Sequence, residues 1–255
     1  MSKRLIKIAV LVFLGVLLAI LPLVACDEEC DEEEEITITI EQLTQEITEA
    51  ADDMETYQFD VKRYIEHSIE NDTETREYKL SIEGNCIVDS TNKKMQYTES
   101  REGESPEGTP LKEIEAYFIG DMMYTKTVTP GMPEEWIKEA MTAESWGQLN
   151  LFEHQMESLK VSEIEILGSE KVNGVDCWVI KVMPTALEEP INYNYWKQWF
   201  AKDTYYLMKA KDEAEWTLPD IGLSAFSRSE IECSHHNEPV SIELPPEAAE
   251  AEEVE

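Results

Sequence analysis

Hydrophobic and polar residues alternate along this chain with two different periods, and the changes of period divide it into predicted helices and strands. A helix is predicted to begin near Thr39 or Glu41, because its apolar residues recur at steps of three and four: Leu43, Ile47, Ala50, Ala51 and Met54. The period then falls to two over Tyr57 to Glu66 and again over Tyr78 to Asp89. Alternation over such long segments predicts half-buried antiparallel strands.

Further strands are predicted on both sides of a helical interlude. Met95 and Tyr97 indicate a third strand, and Gly120-Asp121 is typical of a tight hairpin turn. The remaining predicted strands are Ile114 to Ile119, Met122 to Val128, a segment from Glu163, Tyr195 to Phe200, Tyr205 to Ala210, Phe226 to Cys233 and Val240 to Leu244.

The interlude contains two predicted helices. In the first, which follows Pro133, the residues that share an apolar face are Trp136, Ile137, Ala140 and Met141. In the second, which follows a break at Gly147, they are Leu149, Phe152, Met156 and Leu159. We expect both apolar faces to pack on the sheet.

The sharpest turn signal is Val172-Asn173-Gly174, because Asn-Gly supplies the positive φ angles of a two-residue hairpin turn. The strand that follows, Val175 to Met183, is apolar on both faces. Val175, Cys177 and Val179 lie on one side, and Trp178, Ile180 and Val182 on the other. A strand of this kind needs cover on each face.

These elements predict an α+β domain over residues 41–246, with one large curved antiparallel sheet and helices on one side. Pro245-Pro246 ends the last predicted strand. We expect the acidic tail over residues 247–255 to be disordered.

The start of the chain has the pattern of an export signal. Three basic residues are followed by an apolar run, Ile8 to Val24, and small Ala25 precedes a cysteine, which predicts a signal peptide over residues 1–25. Leu23-Val24-Ala25-Cys26 resembles the bacterial lipobox, which implies that Cys26 receives a lipid and becomes the first residue. The alternative is an uncleaved anchor helix. Both readings place the chain outside the cytoplasm, tethered to the membrane.

The net charge of the chain restricts its possible partners. Residues 1–25 contain three of the 21 basic and none of the 55 acidic residues, so the mature chain has 18 against 55 and a formal charge of −37. Such a chain is repelled by nucleic acid and by anionic headgroups, so no nucleic-acid partner is expected. Residues 26–40 carry the cysteine and a nearly continuous acidic run, which we interpret as an extended tether.

The remaining cysteines are Cys30, Cys86, Cys177 and Cys233. They allow three full disulfide pairings, and the sequence does not choose among them. Cys86 and Cys177 fall inside strand patterns and can serve as small buried hydrophobic residues. Cys233, His235 and His236 match no structural zinc spacing, so we expect no metal.

No pattern of catalytic residues indicates an enzyme. The chain has no Gly-x-Ser-x-Gly elbow and no glycine-rich phosphate loop. We therefore expect neither catalysis nor a cofactor.

Several segments together are similar to the LolA and LppX-like lipoprotein superfamily, over roughly Glu41 to Pro246. The segments are the lipobox, the first helix with its long strands, the Gly168 to Val182 hairpin, Trp-Phe-Ala-Lys-Asp-Thr at Trp199 to Thr204, and Asn-Glu-Pro-Val-Ser-Ile-Glu-Leu-Pro at Asn237 to Pro245. The resemblance implies an unclosed β half-barrel with an apolar face that is covered by helices and holds acyl chains. The lipobox favours the membrane-anchored branch.

Two functions stay open at this point. One is a carrier or chaperone that shelters a lipid, an acyl chain or an acylated protein in a cavity between sheet and helices, and the candidate lining residues are Trp136, Ile137, Met141, Phe152, Met156, Trp178 and Trp199. The other is a surface interaction or structural lipoprotein with a filled core and no small-molecule ligand. A cavity between sheet and helices would discriminate between them.

Overall fold

The computed structural model describes most of the chain from residue 37 onward. The described residues are 37–70, 75–103, 112–128, 131, 134–142, 146–147, 149–160, 162–184, 191–218 and 222–253. The predicted signal peptide, Cys26 and the acidic run over residues 27–35 lie outside them.

One sheet of twelve strands dominates the described part. Its strands are β1 (Thr56–Glu70), β2 (Thr75–Asp89), β3 (Lys94–Gly103), β4 (Lys112–Ile119), β5 (Met122–Val128), β6 (Trp136–Ala140), β7 (Ser162–Val172), β8 (Val175–Pro184), β9 (Ile191–Ala201), β10 (Leu207–Leu218), β11 (Leu223–Ser234) and β12 (Glu252–Glu253). Their order across the sheet is β12-β6-β5-β4-β3-β2-β1-β11-β10-β9-β8-β7. All neighbours are antiparallel except β12 and β6.

The sheet stays open, because β7 and β12 lie at opposite edges of the strand order. Consecutive strands are neighbours within each half, and β1 joins the halves by pairing with β2 and β11. The predicted α+β class, with an unclosed antiparallel half-barrel, is confirmed.

Three helices accompany the sheet in the described part: α1 (Ile40–Asp52), α2 (Leu151–Lys160) and α3 (Pro246–Ala249). Thr39 and Gln42 form a capping box at the start of α1, where each side chain accepts a hydrogen bond from the backbone N–H of the other. Leu43 and Ile47 are the buried residues of α1. We call the side of the sheet that packs on α1 and α2 the helix face, and the other side the open face.

The Asn173-Gly174 turn has the predicted conformation. The φ angles are 51° at Asn173 and 86° at Gly174, and Val172 lies opposite Val175 in the hairpin register. These are the positive angles that a two-residue turn requires, so this prediction is confirmed.

Strand β8 is covered on both faces, as its sequence predicts. Trp178, Ile180 and Val182 pack in the main core on the helix face. On the open face, Cys177 and Val179 form a smaller cluster with Val172 and Trp199, against which Val175 packs.

The structure corrects the first predicted helix of the interlude. Trp136–Ala140 is strand β6, in which Ala140 lies opposite Met122 of β5. Five residues are too few to distinguish the two periods, and pairing satisfies the backbone groups at the edge of β5. The second predicted helix is confirmed as α2.

The C-terminal region also departs from the sequence prediction. Residues 240–244, predicted as a strand, are not part of a strand ladder. Residues 246–253, within and next to the predicted disordered tail, contain α3 and β12, and Ala248 and Ala251 are buried. Burial of these two alanines explains why this acidic segment folds back.

Candidate functional site

The main core lies between the helix face and helices α1 and α2, where four of the predicted ligand residues meet. Phe152 and Met156 lie on α2, Trp178 lies on β8, and Met141 follows β6. Phe152, Met156 and Trp178 are at most 9% exposed, and Met141 packs against the core cluster that contains them. The structure therefore brings these four residues into one apolar layer.

Methionine is prominent in this layer. Five of the ten methionines in the chain belong to it or pack against it: Met54, Met95, Met123, Met141 and Met156. Methionine is unbranched and flexible, so it fills irregular space and rearranges readily. The layer combines high burial with side chains that can adapt their shape.

The structure places the other three predicted residues elsewhere. Trp136 lies on the open face of β6, where its ring packs on Tyr117 and the Lys126 ammonium lies 5.3 Å from the ring centroid. Ile137 is 42% exposed. Trp199 belongs to the open-face cluster, and its indole N–H donates to Glu170 at 2.8 Å. These three residues do not join the apolar layer.

A buried polar contact fixes the start of α2 to the sheet. The Tyr57 hydroxyl donates to Asn150 Oδ1 at 2.9 Å and accepts a hydrogen bond from the Leu151 backbone N–H at 3.0 Å. The Asn150 oxygen also accepts from the Phe152 backbone N–H, so it caps the helix. Burial, followed by the nearby Cys86 and Cys233 thiols, raises the pKa of Tyr57 well above its ordinary value.

A second polar contact lies further along α2. Gln155 Nε2 donates to Gln198 Oε1 of β9 at 3.0 Å, and both side chains are buried. Apolar packing and these two polar contacts, among the side chains that the structure describes, hold helix α2 on the sheet. The predicted site residues did not include the four that make these contacts, Tyr57, Asn150, Gln155 and Gln198. Two of them, Tyr57 and Gln198, do lie within predicted strands, on the helix face.

The described thiols are buried and free. Cys86 and Cys233 flank β1 at the position of Phe59, two strand spacings or about 10 Å apart, which is too far for a disulfide without backbone movement. Burial raises the pKa of both thiols. Cys177 is buried on the open face, so the interpretation of Cys86 and Cys177 as small buried hydrophobic residues is confirmed.

His235 and His236 point into different surroundings. The His236 ring stacks on Tyr206, and its Nε2 lies 2.9 Å from the Leu207 carbonyl oxygen. His235 contacts Glu238 at the surface. Within the ranges that the structure describes, no group of three or more His, Cys, Asp or Glu side chains is placed to hold a metal ion.

A polar band crosses the helix face beyond the apolar layer. Register places Arg63 of β1, Ser229 of β11 and Asp212 of β10 in one row, and the Ser229 hydroxyl donates to the Asp212 carboxylate. Burial raises the pKa of Asp212, and the nearby Arg63 opposes this effect. The apolar layer therefore has a polar boundary along the strands.

Three cavities lie along the sheet, and most of their lining side chains belong to the open face. Their volumes are about 290, 450 and 430 Å³. The first is lined by residues that include Glu66 and Phe226, the second by Lys62 and Lys211, and the third by Glu113 and Lys126. None of these three is the predicted cavity between sheet and helices.

None of the helices in the described part of the chain has the length and apolar composition needed to cross a bilayer.

No family model matches the chain, and no curated protein matches it. Three solved structures are similar to it. A DUF1329 family protein from Desulfovibrio piger has 12% identity and a TM-score of 0.27, covering 79% of this chain and 95% of that one. An outer membrane lipoprotein-sorting protein domain from Vibrio parahaemolyticus has 15% identity and a TM-score of 0.28, covering 79% and 92%. A LolA superfamily protein from Nitrosomonas europaea has 11% identity and a TM-score of 0.25, covering 82% and 96%. At these values, the half-barrel assignment rests on the strand order of this chain itself.

Proposed function

We propose that this protein is an extracytoplasmic lipoprotein, anchored through a lipid on Cys26, that holds a lipid or acyl chain between its helix face and helices α1 and α2. The observation that carries this proposal is the methionine-rich apolar layer. An acyl chain is flexible and has no polar groups along its length. Methionine side chains can rearrange around such a ligand without leaving unpaired polar atoms.

Helix α2 is the element that would move to admit the ligand. Its polar attachments to the sheet include the Tyr57 contacts at its start and the Gln155–Gln198 pair near its middle. A shift of α2 away from β9 would break the glutamine pair and uncover apolar strand residues. The same amides can bond to water in the shifted state, which limits the cost of opening.

The charge of the chain restricts the ligand. With a formal charge of −37, the mature protein disfavours an anionic headgroup held close to its surface. Neutral lipids, and acyl chains whose headgroup projects away from the protein, fit this constraint.

A second candidate function has an observation in its favour. Several large side chains of the layer are almost completely buried, with Tyr57 at 0%, Phe200 at 1% and Leu207 at 1% exposure. A layer that remains filled at this density would make the protein a surface interaction or structural lipoprotein without a small-molecule ligand.

Binding of a fluorescent fatty acid to residues 37–255 tests the carrier proposal. Met122 and Met123 are consecutive residues of β5, with Met123 against the apolar layer and Met122 on the open face. We expect saturable binding that Met123→Trp and Phe152→Trp weaken about tenfold by filling the layer, whereas Met122→Trp leaves it unchanged. Absence of saturable binding, or equal losses in the two methionine variants, would support the filled-core function instead.

Anchoring is tested separately in cells that carry the full chain. Metabolic labelling with an alkyne fatty acid should mark the wild type, and Cys26→Ser should abolish both the label and membrane retention. Cys30→Ser is the matched control and should keep the label. Retention of label in Cys26→Ser would refute the lipid anchor.

A further inference from the structure

The second cavity of the open face is a groove of about 450 Å³ that crosses β2, β1, β11, β10 and β9. Cationic and aromatic side chains on this face project from the last four of these strands. They are Lys62, Tyr64, Arg228, Lys211, Lys197 and Tyr195. The groove also contains the carboxylates of Glu83, Glu213 and Glu230. On the open face, cations therefore outnumber carboxylates here, whereas the whole chain has a charge of −34.

Strand register produces an unusual row of lysines at this groove. Lys181, Lys197 and Lys211 lie directly opposite one another on β8, β9 and β10, so like charges face each other across two strand pairs. Directly opposed like charges destabilise a sheet.

Two of these lysines are neutralised within the protein. Lys197 Nζ lies 2.7 Å from Glu170, and Lys211 Nζ lies 3.0 Å from Glu230. A hydrogen bond from Lys197 lowers the pKa of Glu170, and hydrogen bonds from Lys209 and, to a smaller extent, Lys211 lower the pKa of Glu230. These pairs fix the direction of both lysine side chains beside the groove.

Lys62 and Arg228 are different. Within the described residues, neither forms a hydrogen bond or an ion pair with a carboxylate, both are exposed, and the Arg228 charge acts on Glu66 only at longer range. The Arg228 guanidinium packs on the Tyr64 ring at 5.2 Å, which leaves its N–H groups available. Because Lys62 and Lys211 both lie opposite Glu230, Arg228 is diagonal to each of them at about 7 to 8 Å.

We propose that this groove is a binding site for a phosphate ester, held by Lys62 and Arg228 with Lys211 at its side. A carboxylate presents its two oxygens in one plane, whereas a phosphate presents its oxygens tetrahedrally and can reach donors on three strands. Arginine binds phosphate in a bidentate manner and lysine binds it as a point charge. At physiological salt, charges beyond about 8 Å are largely screened, so the distant acidic surface opposes binding only weakly.

The site is independent of the acyl-binding function. It lies on the opposite face of the sheet and shares no side chain with the apolar layer. If fatty acids fail to bind, the phosphate-site proposal is therefore unaffected. If phosphate fails to bind, the acyl-chain proposal is unaffected.

Calorimetric titration of the full chain in dodecyl maltoside tests the site, with sodium phosphate and glycerol 3-phosphate as probes at physiological salt. We expect saturable binding of at least one probe, and a loss of about tenfold in affinity for Lys62→Gln and for Arg228→Gln. Lys171→Gln is the matched control, because Lys171 pairs with Asp176 at the exposed β7–β8 hairpin outside the groove, and it should bind like the wild type.

A parallel arm identifies the source of the phosphate. Thermal unfolding is measured in mixed micelles containing either phosphatidylglycerol or phosphatidylcholine. A rise in the midpoint with phosphatidylglycerol alone, lost in Arg228→Gln and kept in Lys171→Gln, supports a lipid headgroup. Binding of the soluble probes without that rise supports a free phosphate ester. Absence of both responses, or responses that Lys62→Gln and Arg228→Gln leave unchanged, overturns the proposal.

Discussion

The two faces of this sheet are built from alternate residues of the same strands, yet they differ in what covers them. Trp199 and Phe200 are consecutive in β9. Phe200 packs under the helices in the main core, and Trp199 joins a small cluster on the open face with its indole N–H on Glu170. The comparison shows how one strand can supply an adaptable apolar layer on one side and a charged surface on the other.

The largest difference between the faces should appear when a buried ring is removed. Phe200→Ala on the helix face should cost about 3 to 5 kcal/mol of stability, because it leaves a cavity in the main core. The matched change Phe226→Ala on the open face should cost clearly less, since Phe226 is only half-buried. Urea denaturation measures both free energies. Equal losses would break the distinction between the faces.

The hairpin that serves both faces provides the second test. Gly174 has a φ angle of 86° and no side-chain neighbours at its Cβ position, so strain alone decides the effect of substitution. Gly174→Val should lower the free energy of unfolding by about 1 to 3 kcal/mol. Asn173→Gly keeps a residue that tolerates positive φ and should have a much smaller effect. An unchanged midpoint for Gly174→Val would remove this turn from the list of stabilising features.

Removing a single hydroxyl from each of two tyrosines in β1 compares the two faces of the sheet. Tyr57→Phe removes a buried hydroxyl that bonds to Asn150 and Leu151, so we expect a loss of about 1 to 2 kcal/mol. Tyr64 lies on the open face, and its hydroxyl bonds to Glu66 near the surface. Tyr64→Phe should change stability by less than about 0.5 kcal/mol. If Tyr64→Phe cost more stability than Tyr57→Phe, this would contradict the conclusion that the Tyr57 hydroxyl attaches α2 to the sheet.

The smallest expected effect depends on pH. Burial lowers the pKa of His236 below its ordinary value of 6.5, so the unfolded chain binds this proton more readily than the folded protein. His236 therefore contributes stability that is complete above pH 6.5 and is lost as the pH falls through its folded pKa. The difference in unfolding midpoint between wild type and His236→Gln should shrink over that interval. If the difference between wild type and His236→Gln grew as the pH fell, folding would raise the pKa of His236 rather than lower it, which would contradict this prediction.

Sequence alone predicts the local elements of this fold well. Three features can be interpreted from neighbouring residues alone: the long alternation in β1 and β2, the Asn173-Gly174 turn and the two apolar faces of β8. Trp136 shows the limit, because its five-residue segment fits either period and only pairing with β5 makes it a strand.

The candidate site is less predictable, for a physical reason. Phe152, Met156 and Trp178 meet because α2 covers one particular face, and that choice depends on contacts distant in sequence, such as Gln155 with Gln198. Trp199 has the same apolar character as Trp178 but lies on the other face. The lysine row is invisible in the sequence, since Lys181, Lys197 and Lys211 become neighbours only through strand register.

Native mass spectrometry of the full chain, purified from membranes in a mild detergent, tests the central claim most directly. We expect a bound species whose mass exceeds that of the lipid-modified chain by one further lipid, with the lipid identified after extraction. Met123→Trp should lose that species, and Met122→Trp should retain it. A wild-type spectrum that contains only the lipid-modified chain would contradict acyl-chain binding on the helix face.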